Sequence, residues 1–106
     1  MKRFIDPLQH IVHIQRSTIH GHIYRRHPEL KGKQRDIEQT ISNPDFIARS
    51  KKDTQSLLYF RRINELFFLM VVASPIYDHD FELRTCFYVL NTSKGDPIIW
   101  RKKIST

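Results

Sequence analysis

Apolar and polar residues alternate imperfectly from Leu8 to Arg16, with Leu8, Val12 and Ile14 on one side and His10 interrupting that side. The pattern predicts a short strand. Ser17 and Thr18 are good helix caps, so a helix is expected to begin there. Ile19, Ile23 and Arg26 then fall on one helical face at i, i+4, i+7, with His22 beside them. Pro28 suits a first helical position and not an interior one. A break is therefore expected near His27, and a second helix from Pro28 or after Gly32, with Ile37 and Ile41 as its apolar stripe. Asn43, Pro44 and Asp45 should end it. The rest of the chain is strand-like. Phe46–Ser50 is a short candidate, 51–55 a polar turn, 56–63 a strand rich in Leu, Tyr and Phe, and Asn64 and Glu65 a turn. Residues 66–74 form a continuous apolar run, as in a strand covered on both faces. Residues 75–80 read as a loop. Residues 81–90 alternate, with Phe81, Leu83, Thr85, Phe87 and Val89 on one face. Gly95, Asp96 and Pro97 read as a turn before a last edge strand at 98–100. The predicted class is α+β, with N-terminal helices packed on a four-stranded antiparallel sheet.

Length and composition narrow this further. The 106 residues make one domain, and an apolar fraction of 40% supports a compact core. No apolar run approaches the roughly 20 residues needed to cross a bilayer, so no membrane partner is expected. The first residues lack the apolar segment and cleavage site of a signal peptide. Cys86 is the single cysteine, which rules out an internal disulfide and fits a reducing, cytoplasmic setting. The net charge is +7 and uneven: through Lys52 there are 11 Lys and Arg against 5 Asp and Glu, and five of the six histidines lie in the same part. Such an excess attracts polyanions, and points to RNA or another phosphate-bearing partner.

The densest polar chemistry lies between His22 and Leu30, which includes His22, Arg25, Arg26, His27 and Glu29. A metal is not expected: His10 with His13, and His20 with His22, lack the ligand number and spacing of a zinc site. Arg26, placed with Ile19 and Ile23, must pair with a carboxylate such as Glu29 or Glu38, or wait at a cleft as a fixed cation for a phosphate. His22, one turn earlier, can share its surface and move a proton near neutral pH. His27 either caps and packs or serves as a second proton-transfer group. Thr85, facing with Leu83 and Phe87, is either β-branched filler or a hydroxyl opening into a cleft; Arg84 points the other way unless the strand bulges. Lys51 and Lys52, Arg61 and Arg62, and Arg101 to Lys103 are solvated edges that could also touch a phosphate backbone. There is no Gly-rich phosphate loop, no nucleophile elbow and no paired-carboxylate signature for magnesium. No cofactor is expected.

The order His22, Arg26, His27, Pro28, Glu29, then Asn43, Pro44, Asp45 and Ile47, then Tyr59 and Phe60, then Arg84, Thr85 and Tyr88, resembles the small phage- and mobile-element-associated nucleases of the barnase–EndoU–colicin–RelE superfamily. The resemblance runs from about Gln9 to Tyr88. It implies two N-terminal helices before a four-stranded antiparallel sheet, and metal-independent RNA cleavage by a toxin or conflict effector. In that reading a ribose 2′-hydroxyl attacks the adjacent phosphate. His22 is acid or base, Arg26 stabilises the phosphoryl charge, and His27 is the second proton-transfer group. Thr85 orients the phosphate or ribose, Arg84, Lys51, Arg25 and Tyr24 bind RNA, and Tyr24 or Tyr59 stacks on a base. A toxin would be held by an acidic antitoxin or immunity protein. The rival readings are a non-enzymatic RNA-binding module and an inactive nuclease-like interaction domain.

Overall fold

The computed structural model describes residues 1–103. Its centre is one sheet of seven strands: β1 Lys2–Ile5, β2 Ile11–Ile14, β3 Phe46–Ser50, β4 Leu57–Arg62, β5 Phe68–Tyr77, β6 Asp80–Val89 and β7 Gly95–Arg101. The spatial order is β1-β2-β6-β5-β4-β3-β7. Neighbours are antiparallel except β2 and β6, which run parallel. This overturns the expected α+β class with helices on a four-stranded antiparallel sheet: the sheet is mixed, has seven strands and dominates the fold. The four strands expected between 46 and 90 are its middle, and three more extend it. β1 escapes a pattern reading because it is an outer strand with three of four residues exposed; backbone pairing to β2 holds it, not an apolar face. The expected 75–80 loop shrinks to a tight turn, because β5 runs on to Tyr77 and Asp78 takes a positive φ of 50°. The expected turn at Gly95 to Pro97 belongs instead to β7, which follows β3 through two register irregularities.

The first helical segment, residues 16–26, starts one residue before the expected caps. It consists of an α-turn Arg16–Thr18, a π-helical turn Ile19–Ile23 and an α-turn Tyr24–Arg26. In the π turn the Tyr24 N–H donates to the Ile19 carbonyl, five residues back. That extra residue shifts the helical phase. Ile19, Ile23 and Tyr24 are buried as a result, and Arg26, expected with them, is exposed. The segment breaks at His27 as the proline requires. A 3-10 turn Pro28–Leu30 follows, then Gly32 at φ 79°, then the second helix Gln34–Ser42. Ile37 and Ile41 of this helix are fully buried against the sheet, where truncation of either to alanine typically costs about 2–5 kcal/mol. Asn43 and Pro44 end it.

Both helical segments contribute to the same apolar cluster, which includes Val12, Tyr59, Leu69, Val71, Leu83 and Cys86 from the sheet. Burial pushes the Cys86 thiol up to about 12. A charged group is embedded at the edge of this core. The Asp6 carboxylate, 2% exposed, accepts the Leu8 and His10 N–H groups at 2.8 and 2.9 Å on one oxygen. Its other oxygen takes the Tyr59 hydroxyl at 2.6 Å and meets His10 Nδ1 at 2.8 Å. The outer β1–β2 turn is thereby tied to central strand β4. Burial, and the Asp6 charge beside it, raise the Tyr59 phenol far above its ordinary value.

The opposite face carries no helix. Ala48, Leu58, Phe60 and Met70 are nonetheless buried there. The connection from β6 to β7 has to cross three strands, since β7 lies beyond β3. It crosses this face. Gly95 sits so close that a Cβ on it would lie 2.7 Å from the Ala48 Cβ and 3.2 Å from the Phe60 ring. Residues 90–94 thus act as a strap over a sheet face that is otherwise open.

Candidate functional site

The strap and the sheet together make an open cleft of about 930 Å³. Leu58, Met70, Val72 and Phe87 form its apolar floor. Lys51, Lys52, Arg84 and Lys94 supply positive charge around it, with Asp53 the one carboxylate among the described residues. Ser50, Ser56, Ser74, Ser93 and Thr85 add hydroxyls, and His22 adds the only imidazole.

Local structure explains why these groups meet. The turn after β3 is fixed by Asp53, whose carboxylate accepts the Ser56 hydroxyl at 2.8 Å and the Gln55 N–H at 3.2 Å. The Lys51 N–H donates to the Lys94 carbonyl at 3.0 Å, binding this turn to the strap. Two walls carrying lysines are therefore held together. On β6 the register slips: Thr85 is opposite Val72, but Leu83 is opposite Ala73. Arg84 is the extra residue of a β-bulge, which re-aims side chains on the bulged strand. Leu83 and Cys86 consequently face the helix-covered core, while Arg84 and Thr85 both line the cleft. Thr85 shares its face with Phe87 as expected, but not with Leu83.

His22 reaches the cleft from outside the sheet. β2 pairs with only Asp80 to Glu82 of β6, leaving the rest of that edge unpaired by strand. The first helical segment packs along it. Half-buried His22 lines the cleft on one side and, on the other, a smaller cavity of about 280 Å³ that also borders Glu82 and Arg84. Arg84 is held loosely, its Nη1 3.8 Å from Glu82 Oε1 with both side chains largely exposed, a pairing worth little in water.

The other expected site residues lie elsewhere. Arg25 and Arg26 are exposed and line neither the cleft nor the smaller cavity beside it, because the π turn rotates them outward. Arg26 has no ion pair among the described residues, so neither expected carboxylate partner holds it. Tyr24 is buried in the helix-side core and its ring meets His20 edge-on at 5.2 Å; it has no free face for a base. His27 stacks on the Phe87 ring at 5.2 Å and an interplanar angle of 23°, with its Nδ1 4.0 Å from Glu29 Oε2. It supports the floor without lining the cleft. The structure thus brings together His22, Arg84, Thr85 and Lys51, and leaves out Arg25, Arg26, His27 and Tyr24. Among the described residues no three His, Cys, Asp or Glu side chains are grouped to hold a metal ion. Lys94, Ser93, Ser56 and Ser74 were not singled out from sequence, since only the long-range crossing of the strap gives them a shared place.

A half-buried imidazole, several cations and a hydroxyl over an apolar floor can bind a phosphodiester, seat a base and transfer a proton. Among the described residues no helix is long and apolar enough to cross a membrane. Comparisons with protein-family models, curated proteins and solved structures give no match to this chain.

Proposed function

We propose that this chain is a metal-independent endoribonuclease whose RNA lies in the cleft on the open sheet face. One observation carries the reading: His22 faces the same cleft as Arg84, Thr85, Lys51, Lys52 and Lys94. A ribose 2′-hydroxyl attacks the adjacent phosphorus, the 5′-oxygen leaves, and a 2′,3′-cyclic phosphate forms. His22 takes the proton of the attacking hydroxyl or returns one to the leaving oxygen, and solvent water exchanges the other proton. Arg84, with the lysines, stabilises charge on the phosphoryl oxygens, in the place first expected of Arg26. Thr85 orients the phosphate. Kinship with the barnase–EndoU–colicin–RelE superfamily is proposed on the motif pieces that meet here, His22 and Arg84 with Thr85, and not on the sheet. The setting proposed is cytoplasmic. A toxin of this kind would be matched by an acidic partner covering the lysine-bearing walls.

One observation favours a second reading, a binding module without chemistry: His22 is alone among the histidines in lining the cleft. Total RNA incubated with the protein in excess chelator separates the two. The nuclease produces fragments ending in 2′,3′-cyclic phosphate, and His22→Gln abolishes them while RNA is still bound. Intact RNA retained by the wild type assigns the binding module. RNA that is neither cut nor bound at low salt removes both readings.

A further inference from the structure

A second feature of the open face lies beyond the strap. Directly opposed residues form a row across the strands: Phe87 on β6, Met70 on β5, Phe60 on β4, Phe46 on β3 and Arg101 on β7. Phe46 stacks on buried Phe60 at 4.9 Å and 20°, and half-buried Phe68, in the next row, meets both rings edge-on. Two guanidinium groups sit on this cluster. Arg62 lies 4.4 Å from the Phe68 ring centroid, and Arg101 lies 5.7 Å from that of Phe46. Arg62 is steadied by donating to the Asn64 and Glu65 carbonyls at 3.3 and 3.1 Å, contacts that leave its charge uncompensated. Neither arginine has a carboxylate partner among the described residues. The nearby Asp45 carboxylate is spent on the Arg62 backbone N–H.

The geometry points to a second binding subsite, for single-stranded RNA, formed by Phe46, Phe68, Arg62 and Arg101. It rests on the reading of the cleft as an RNA site and extends it: the substrate is an unpaired strand of several nucleotides. Aromatic faces take bases with little regard to sequence, and adjacent guanidinium groups take the phosphates or stack on the bases themselves. Lys94, which belongs to the cleft, sits 4.9 Å over Phe87 and repeats the same pairing of cation and ring on the strap. From Phe87 to Phe46 is three strand spacings of about 4.8 Å, roughly 14 Å, a distance that one nucleotide in the cleft does not cover. A double helix would present neither its bases nor this spacing to a flat sheet, which is why an unpaired strand is the occupant.

The bland account of the same contacts is that the arginines shield apolar rings from water. The two are separated with uncleavable 2′-O-methyl oligonucleotides of random sequence, three and nine residues long, by fluorescence anisotropy. The wild type is expected to hold the nine-mer about tenfold or more tighter than the three-mer. Arg62→Gln combined with Arg101→Gln should erase that difference and leave three-mer binding intact. Phe46→Leu combined with Phe68→Leu should do the same in protein shown to be folded by its melting transition. A length preference that survives the arginine variant, or is missing from the wild type, overturns the subsite while leaving the cleft standing. Binding of neither oligonucleotide overturns both. A concentration-dependent dimer that the arginine variant dissolves, without RNA binding, would assign the patch to a second copy of the chain instead.

Discussion

The two faces of the sheet are built from the same strands and finish differently. The helix-covered face is filled mainly by Ile, Leu and Val, and its embedded carboxylate, Asp6, is satisfied on both oxygens. The other face is closed only by a strap of five residues. It keeps phenylalanines under cations, lysines and an arginine around an open cleft, and an imidazole brought round the sheet edge. Folding alone accounts for the first face. The second retains polar chemistry that the fold does not consume, which is where function is to be sought.

If that contrast is right, mutations on the two faces should fail in different assays. The largest expected effect is His22→Gln, which should cut RNA cleavage by about 10²–10⁴-fold while leaving the melting temperature unchanged. Asp6→Ala should do the reverse. It strands the buried Tyr59 hydroxyl and two N–H groups, costing about 3–5 kcal/mol in denaturant unfolding, with RNA affinity retained by whatever protein remains folded. A smaller effect tests the seam between the faces. Gly95→Ala forces its new Cβ against Ala48 and Phe60, so the strap must lift, at about 1–3 kcal/mol and with weaker RNA binding.

The smallest effect is a pH dependence confined to the covered face. The folded chain holds the Cys86 thiol up to about 12, against an ordinary value of 9.0. Below pH 9 both states keep the proton and nothing is lost. As pH rises from there the unfolded chain ionises first, so stability falls by about 1 kcal/mol between pH 9 and 10, the window in which the effect is read. Tyr59, also raised, adds a decline of the same sign above its own ordinary value of 10.0. Cys86→Ala should flatten the onset between pH 9 and 10 in melting curves, without any change in RNA binding over the same range.

The sequence made local patterns legible and left long-range ones hidden. Phe46–Ser50 has the bounds expected of it, the break at His27 follows from Pro28, and Ile37 and Ile41 face the core as their spacing requires. The parallel contact of β2 with β6 and the crossing of the strap depend on residues far apart in the chain, and no periodicity encodes them; β1 pairs locally with β2 but shows no apolar face to read. The same divide runs through the site. His22 and Thr85 stand out as polar residues beside apolar stripes. Arg26 was misplaced because a single π turn changes the phase of everything after it, and no residue from Ile19 to Ile23 announces that turn. Lys94 reads as one more surface lysine until the strap brings it over Phe87.

The most direct test of the account is to map amide chemical shifts of the labelled protein on titration with the uncleavable nine-mer. The largest changes should fall on Lys51, Arg84, Thr85, Phe87 and Lys94, extending to Phe46 and Phe68, while the second helix stays still. Changes gathered on Arg25, Arg26 and the second helix, or no changes at all, would contradict the assignment of function to the open face.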